Sequence, residues 1–509
     1  MLVEAGHAWR LLSDARRLAA HGVLRPFEDL PDLPPGVRLV ARLLRAGTLA
    51  PREPDYSGGL RACGPAAVKL GQALATRPDL VGEAAAADLR RLQDDLPPDP
   101  WDRIEAELDR ALPGGWRAHF AWISPEPAGS ASIAQVHRAR TRDGREVALK
   151  VLRPGVERRF RQALAAYDWA AAWLETLGGE FRRLRPRHVL ATFRAWTMAE
   201  LDLRREAGNA SELAQAVRGE PGIRVPKVHW EWTSRRTLAL DWVDGVKLTD
   251  MAAVDRAGAD RRALARAVVG GFLEQAIGHG FFHADLHQGN LILCPDGRIA
   301  LLDFGIMGRL DRRARVYLAE ILWGLIRGDY ARVAELHFEA GYVPPWHDPR
   351  EFATALRAVG EPVRGRPTAE ISVGALLDGL FAITRSFDMP TQPHLLLLQK
   401  TMVMVEGVAA ALDPRINMWE TAAPYVKAWV RDELGPEARL AQRIGRAVWL
   451  AGELPKVAER LVRRVPLEGA APPEPPLPPL PAPGPKRWPA LMVGVVLGVV
   501  GVLMVQALG

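Results

Sequence analysis

Hydrophobic and polar positions alternate in two neighbouring stretches of the chain that a turn separates. Residues 130–140 and 146–152 read SASIAQVHRAR and EVALKVL, and the segment 141–144 between them contains Asp-Gly. Alternation on both sides of an Asp-Gly turn is typical of a β-hairpin. Two further stretches, 227–232 and 236–243, also have a strand-like pattern. The pattern therefore predicts a small, strand-rich unit.

Helical periodicity surrounds this unit. Residues 1–120 are mostly helical in pattern, and a long helical stretch, 156–216, is inserted among the strands. From residue 260 the pattern is helical almost to residue 466, except for two brief apolar β-type runs within 281–304. This order of elements is that of a bilobal, protein-kinase-like α+β fold. We predict an N-terminal helical extension, a strand-rich N-lobe and a helical C-lobe at 1–120, 121–245 and 246–465.

The end of the chain predicts one transmembrane helix. Residues 489–508 read PALMVGVVLGVVGVLMVQAL, and about 20 helical residues span a hydrocarbon layer of roughly 30 Å. A proline-rich linker at 466–487 precedes the predicted membrane helix at 488–509 and forms a semi-rigid spacer. A buried core helix is the alternative interpretation of the apolar segment.

Residues at the ends of this segment predict its orientation and its partner. Lys486 and Arg487 precede it, and the positive-inside bias then places the rest of the chain in the cytoplasm, held by a single-pass C-terminal anchor. Gly494 and Gly498 have the spacing that lets a second helix approach closely, which would permit self-association. The alternative is that these glycines reflect only the frequency of glycine in membrane helices.

The composition excludes several classes of protein. Apolar residues make up 48% of the chain and charged residues 25%, as in globular proteins and unlike disordered or fibrous ones. The 67 Lys and Arg exceed the 60 Asp and Glu by too little, over 509 residues, to indicate a nucleic-acid partner. Cys63 and Cys294 are the only cysteines, too few for a disulfide framework or a four-cysteine zinc site.

The segment 281–291, FFHADLHQGNL, carries the main candidate chemistry. Asp285 precedes Asn290 by five positions, and Asp303, which begins an Asp-Phe-Gly tripeptide, follows Asn290 by thirteen. This is the spacing of a kinase-type catalytic loop and its metal-binding motif. We expect Asn290 and Asp303 to bind Mg²⁺ in an ATP site, because hard oxygen ligands suit that ion. Asp285 would accept a proton from, or orient, the attacking hydroxyl or water.

Lys150 lies in Val-Ala-Leu-Lys, in the middle of the second strand of the predicted hairpin. In kinases a lysine at this place binds the α- and β-phosphates and pairs with a helix glutamate. Its partner is expected within 199–209, where Asp202 and Glu206 fall on one helix face. Spacing alone leaves both carboxylates open as the partner.

No glycine-rich loop precedes the first strand of the hairpin. The sequence PAGSAS stands there instead, and its small side chains still let backbone N–H groups approach phosphates. Little chain separates the Asp-Phe-Gly tripeptide from the next helical pattern, which disfavours a protein substrate. The residues assigned to ATP binding in this loop are Ala128, Gly129, Ser130, Ala131 and Ser132.

Together these motifs resemble the UbiB/AarF family of atypical kinases over nearly the whole chain. Glu206 matches the family's helix glutamate that pairs with Lys150, and the resemblance assigns Asp241 and Val243 to ATP binding. Gly129 stands where alanine is usual in the nucleotide loop. The regulatory signatures KxGQ and ExD match Lys69, Gly71 and Gln72, and Glu200 and Asp202.

The resemblance implies a kinase-like fold in which the KxGQ helix covers the active site and excludes protein substrates. It implies Mg²⁺ and ATP binding, slow ATP hydrolysis and support of isoprenoid quinone (ubiquinone) biosynthesis at a bacterial-type inner membrane. The implied partners are membrane lipid, quinone intermediates and quinone-biosynthesis proteins. Our first hypothesis is a membrane-anchored ATPase that handles apolar lipid intermediates. The alternatives are a small-molecule phosphotransferase and a non-catalytic, nucleotide-switched scaffold.

Overall fold

The structure, a computed structural model, divides into two compact units. Among the described residues, the first unit contains those up to 208 together with 228–242, and the second contains 209–227 together with 243–434. The described residues are 2–25, 39, 42–49, 51–75, 81–92, 97–176, 186–220, 222–362, 379, 382–389 and 393–434.

An antiparallel sheet of five strands forms the centre of the first unit. The strands are Phe120–Ile123 (β1), Gly129–Ser130 (β2), Ala134–Thr141 (β3), Glu146–Leu152 (β4) and Thr237–Asp241 (β6). Their order is β1-β3-β4-β6, with β2 paired to β3. The predicted hairpin is therefore present as β3 and β4, and its first strand is divided by a turn after β2.

The predicted strand at 227–232 is wrong. Val228 makes only an isolated bridge to Leu240, and a 3₁₀ turn follows at Trp230–Trp232. The turn buries the Trp232 ring in the core of the sheet, 5.1 Å from the Phe120 ring centroid. Burial of one large aromatic side chain thus overrides the short alternating pattern.

Helices complete the first unit. Trp101–Ala111 (α5) packs Ile104 and Leu108 into the same core as the sheet, and Leu2–Ala20 (α1) packs on Val156–Thr176 (α6). Further helices that the structure describes are Tyr56–Cys63 (α2), Pro65–Ala75 (α3), Glu83–Leu89 (α4), Pro186–Glu200 (α7) and Leu203–Ala216 (α8), which continues into the second unit.

Two small sheets carry the catalytic-loop region of the second unit. Ile223–Arg224 (β5), Val246–Lys247 (β7), Leu291–Leu293 (β9) and Ile299–Leu301 (β10) pair in the order β5-β10-β9-β7. Phe281–His283 (β8) pairs with Met307–Arg309 (β11). The catalytic loop follows β8, and the Asp-Phe-Gly tripeptide lies between β10 and β11.

The other elements that the structure describes in the second unit are mainly helices, as the pattern predicts. Five of these helices begin at a capping aspartate whose side chain accepts backbone N–H bonds, and two of the five end at glycines in the left-handed region. The helices are Met251–Arg256 (α9), Arg261–Leu273 (α10), Arg312–Arg327 (α11), Tyr330–Ala340 (α12), Pro349–Gly360 (α13), Pro393–Leu412 (α14) and Met418–Leu434 (α15), with a π-helical turn at Glu274–His279.

The predicted transmembrane anchor is corrected here. A span needs about 20 apolar helical residues, and none of the helices formed by the described residues is long and apolar enough to cross a membrane. The predicted linker at 466–487 and span at 488–509, with Gly494 and Gly498, lie outside the described residues. The single-pass inner-membrane anchor is therefore not part of the function that we propose below.

Candidate active site

Lys150 and Glu206 form a nearly buried ion pair in the first unit. The Lys150 Nζ lies 2.7 Å from Glu206 Oε1 and 2.8 Å from Oε2, and the side chains are 13% and 8% exposed. Along β4, Val147, Leu149 and Val151 enter the core, so Lys150 lies on the opposite face of the sheet. The pattern of the strand therefore fixes which way the ammonium points.

Asp202, the other candidate partner, is engaged elsewhere. Its carboxylate accepts bonds from the Arg204 guanidinium at 2.6 and 2.9 Å and from the Arg204 backbone N–H at 3.2 Å. The side-chain bonds from Arg204 hold the pKa of Asp202 below its ordinary value. Between the two carboxylates that the spacing left open, the structure thus pairs Glu206 with the strand lysine.

The nucleotide loop is a tight hairpin between β2 and β3. Ala128 N donates to Val136 O, and Ala131 N donates to Ala134 O. Ser132 is buried, whereas a Cβ added at Gly129 would meet no atom within 4 Å. The small residues therefore leave open space on the outer side of the loop at Gly129.

The Arg153 side chain holds the nucleotide loop by hydrogen bonds. Its guanidinium donates to Ala131 O and to Ser130 Oγ, each at 2.8 Å, and it also binds Asp99 Oδ2 at 2.7 Å and Pro97 O at 3.0 Å. The Arg153 side chain is only 9% exposed. Sequence reasoning missed this residue, and no local signal marks it, because its partners come from segments more than 20 residues away.

Asp241 and Val243, which the resemblance assigns to ATP binding, lie in different units. Asp241 ends β6, where its Oδ1 is 2.8 Å from Nε2 of the buried His229. Val243 is buried in the second unit, with Ile292, Cys294 and Ala300. Their assignment to ATP binding stays a prediction.

The KxGQ residues are packed and paired. Lys69 Nζ lies 2.5 Å from Glu200 Oε2, and Gln72 Nε2 donates to Leu92 O at 2.8 Å. Gly71 is buried, and a Cβ there would lie 2.5 Å from a terminal methyl carbon of Leu92. The glycine therefore permits close packing of α3, and the lysine connects α3 to the end of α7.

His283 fixes the start of the catalytic loop in the second unit. It is fully buried, its Nε2 is 2.9 Å from Leu302 O, and its Nδ1 accepts the Asp285 backbone N–H at 3.2 Å. These partners require a neutral ring with its proton on Nε2. Burial lowers the pKa of His283, which agrees with that neutral form. The ring therefore ties the catalytic loop to the strand that precedes Asp303.

Asn290 and Asp303 come to the same end of a strand pair. Leu291 of β9 lies opposite Leu301 of β10, and Asn290 O accepts the Leu302 backbone N–H. Asn290 Nδ2 donates to Asp285 O at 3.0 Å, so its Oδ1 is the atom that would bind a cation.

Asp303 has a backbone conformation that is unusual for a residue other than glycine. Its φ is 57°, and its Oδ1 accepts the Gly305 backbone N–H at 3.1 Å. Such a conformation costs of order 1–3 kcal/mol and is concentrated at functional sites. An exposed carboxylate held in this way, together with an amide oxygen, is a donor set that fits Mg²⁺.

Two cationic or titratable side chains flank the Asp285 carboxylate. Lys400 Nζ is 3.6 Å from Asp285 Oδ1, and His287 Nε2 is 3.7 Å from Oδ2. Sequence reasoning did not find Lys400, which lies 115 residues after Asp285 on α14. The side chains of the second unit thus place a carboxylate, a carboxamide and an ammonium around one loop.

Two family models match this chain, and curated proteins are similar to it over most of its length. The ABC1 atypical kinase-like domain matches residues 91–337, and the UbiB helical domain matches residues 356–417. The chain is 39% identical to the "Probable protein kinase UbiB" of Marinobacter nauticus, over 81% of this chain and 77% of that protein. It is 38% identical to the protein of the same name from Cellvibrio japonicus, over 80% and 75% of the two chains.

One solved structure is also similar to this chain. It is the complex of Rv3197 with erythromycin from Mycobacterium tuberculosis, at 26% identity and a TM-score of 0.49, over 72% of this chain and 92% of that chain.

Proposed function

The chain belongs to the UbiB family of ABC1-type atypical kinases, and from this premise we propose that it binds Mg²⁺-ATP and hydrolyses it in support of isoprenoid quinone biosynthesis. The observation that carries the proposal is the nearly buried Lys150–Glu206 pair. A buried ion pair is a weak source of stability, so stability alone does not account for this pair. A lysine whose ammonium is held by two carboxylate oxygens is suited to bind the oxygens of a polyphosphate.

Each residue has a role in the proposed reaction. Lys150 binds the α- and β-phosphate oxygens, and Glu206 holds its ammonium in place. The backbone N–H groups of the loop around Gly129 approach the phosphates. Asn290 and Asp303 would hold Mg²⁺, which neutralises phosphate oxygens when it is bound. Asp285 orients the attacking oxygen and takes its proton.

The short connection after Asp303 favours water or a small acceptor over a protein substrate. Only residues 304–311 separate Asp303 from α11, and Met307–Arg309 of that connection is already paired with β8. A protein kinase needs a longer activation segment at this place. We propose that the free energy of hydrolysis serves the handling of apolar lipid intermediates, with lipid and other quinone-biosynthesis proteins as partners.

The same short connection also suits a small-molecule phosphotransferase, which is the second candidate. The two functions differ in what receives the phosphoryl group. A kinase of this type would phosphorylate a soluble alcohol rapidly, whereas an ATPase would release inorganic phosphate.

The test is an ATPase assay on the full chain with Mg²⁺-ATP. It is run with and without phospholipid vesicles and a phenolic quinone-precursor analogue, beside a panel of soluble alcohols. We expect phosphate release that vesicles and the analogue stimulate, and no release by Asp303→Asn, because asparagine keeps the size of the side chain but removes its charge. Undiminished turnover by Asp303→Asn would refute the proposed metal ligand. Rapid phosphorylation of an alcohol would favour the second candidate.

A further inference from the structure

A lysine ammonium from the helical region lies beside the carboxylate of the catalytic loop. Lys400 Nζ is 3.6 Å from Asp285 Oδ1, and the side chains are 30% and 26% exposed. This is an ion-pair distance and too long for a hydrogen bond. Lys400 donates no hydrogen bond to any residue that the structure describes. Its N–H donors can therefore reach a ligand that lies next to Asp285.

The position of Lys400 is fixed by packing, although its ammonium is accessible. Leu398 and Thr401 on either side of it are buried, and the Thr401 hydroxyl donates to Leu397 O at 2.8 Å. The helix that carries them, α14, packs along α10. The backbone at Lys400 is therefore held in place, and only the end of the side chain is free to meet a ligand.

The choice of lysine at this position is itself informative. The chain contains eight lysines and 59 arginines, so a cation in this sequence is nearly always an arginine. Lys69 and Lys150 are two of the eight, and each pairs with a glutamate of the candidate site. An ammonium is a compact point charge, whereas a guanidinium is a planar fork. Lys400 is thus a rare residue type that also faces a carboxylate of the site.

Lys400 comes from outside the kinase-like part of the sequence. The kinase-like match ends at residue 337, and Lys400 falls in the match to the UbiB helical domain, residues 356–417. The helical domain therefore contributes a charged group to the loop that carries Asp285.

We propose that Lys400 is a catalytic residue of phosphoryl transfer, whose ammonium contacts the oxygens of the transferring γ-phosphoryl group beside Asp285. The inference rests on the proposed function. In the reaction the bond between the γ-phosphorus and the ADP oxygen breaks, and a bond from phosphorus to the acceptor oxygen forms. The acceptor proton passes to Asp285, and Lys400 transfers no proton. Its charge offsets the repulsion between the Asp285 carboxylate and the phosphoryl oxygens.

The experiment compares Lys400→Met and Lys400→Arg with the wild type in the full chain. Lys427→Met is the matched control, since Lys427 is an exposed lysine on the neighbouring helix α15 of the same unit. We measure kcat for Mg²⁺-ATP and the affinities for Mg²⁺-ADP alone and for Mg²⁺-ADP with aluminium fluoride, which mimics the transferring group. We expect Lys400→Met to lower kcat by at least about tenfold and to weaken only the aluminium fluoride complex. Lys400→Arg should recover part of both losses, and Lys427→Met should match the wild type.

The outcomes separate this inference from the proposed function. If the wild type shows no turnover, the proposed function fails, and the binding of the aluminium fluoride complex still decides the role of Lys400. If Lys400→Met binds that complex as tightly as the wild type, or turns over ATP at the same rate, the inference is refuted. It is also refuted if Lys400→Met loses Mg²⁺-ADP affinity to the same extent, or if Lys400→Arg recovers nothing, because the lysine would then act on structure and not on the phosphoryl group.

Discussion

Replacing Gly71 by alanine tests how closely the KxGQ helix, α3, is packed. The sign of the change in the stability of α3 gives the answer. Gly71 lies inside α3, and an added Cβ would lie 2.5 Å from a terminal carbon of Leu60 and 2.5 Å from one of Leu92. Both distances are about 1–1.5 Å shorter than an ordinary carbon–carbon contact of about 3.5–4.0 Å. Leu92 is 2% exposed, and it belongs to the core cluster that α3 forms with α4.

Two opposing contributions set the change in the stability of α3 in Gly71→Ala. In a helix interior without such neighbours, glycine to alanine stabilises by about 1 kcal/mol. Overpacking a core costs about 1–3 kcal/mol. Leu60 is only partly buried and can turn away, but Leu92 cannot move without disturbing the cluster. We therefore expect the free energy of local opening of α3 to fall by about 1 kcal/mol. Without the close contacts it would rise by about 1 kcal/mol.

Native-state hydrogen exchange of peptides from residues 65–75 and 81–92 measures this opening directly. A loss of about 1 kcal/mol makes exchange there about fivefold faster. Gly129→Ala is the matched control, because a Cβ at that glycine meets no atom within 4 Å and its φ is not in the left-handed region. It should leave exchange in α3 unchanged. Exchange in α3 that slows in Gly71→Ala would show that the close contacts with Leu60 and Leu92 do not exist in solution.

Three further predictions concern single residues of the candidate site. Arg153→Met should raise the KM for Mg²⁺-ATP about tenfold with a smaller change in kcat, because the hydrogen bond from Arg153 to the Ala131 carbonyl is lost. Steady-state kinetics measure both constants, and an unchanged KM would contradict this role. Glu206→Gln removes the charge that faces the nearly buried Lys150 ammonium in this pair. It should lower the unfolding free energy by up to about 3 kcal/mol and reduce turnover more than 100-fold, on the order expected for a lost charge-positioning contact. Denaturant titration and phosphate release measure the two effects, and near-normal turnover would remove Glu206 from the site. Burial lowers the pKa of His283 in the folded chain, so the unfolded chain binds a proton below about pH 6.5 that the folded chain does not. The urea concentration at the unfolding midpoint should therefore be highest above that pH and fall as the pH is lowered from 7.5 to 5.5. A midpoint that rises on acidification would contradict the neutral ring.

Residues whose role depends on local pattern could be predicted from the sequence. The alternation of β4 and the Asp-Gly turn before it suffice to place Lys150 on a strand and on its outer face. The spacing from Asp285 to Asn290 is likewise local, since both belong to one loop. The stretch 227–232 failed because a six-residue alternating pattern does not specify whether Trp232 packs from a strand or from a turn.

Residues whose role depends on a distant contact could not be predicted. Arg153 looks like one of 59 arginines until the fold brings the Ala131 carbonyl and the Asp99 carboxylate to its guanidinium. Lys400 looks like an interruption in an apolar helix until α14 places it beside Asp285. The positions of Asp202 and Glu206 around a helix could not show which of them pairs with Lys150. Asp202 is bound by Arg204 instead, and this contact depends on where the helix begins, which the sequence pattern does not specify.

The two nearly buried lysine–glutamate pairs of the first unit meet at one corner of the chain, the junction between α7 and α8. Glu200 ends α7 and Glu206 lies in the first turn of α8, so the carboxylates that hold Lys69 and Lys150 belong to residues six positions apart. Leu201 between them is fully buried, which leaves the corner little freedom to move without its neighbours. One Glu200 oxygen is buried and has no hydrogen-bond partner among the described residues, so that carboxylate depends strongly on its lysine. A shift of the KxGQ helix that moves Lys69 therefore acts on the same corner that positions Glu206, and the first unit has a short physical path from that helix to the lysine proposed to bind phosphate.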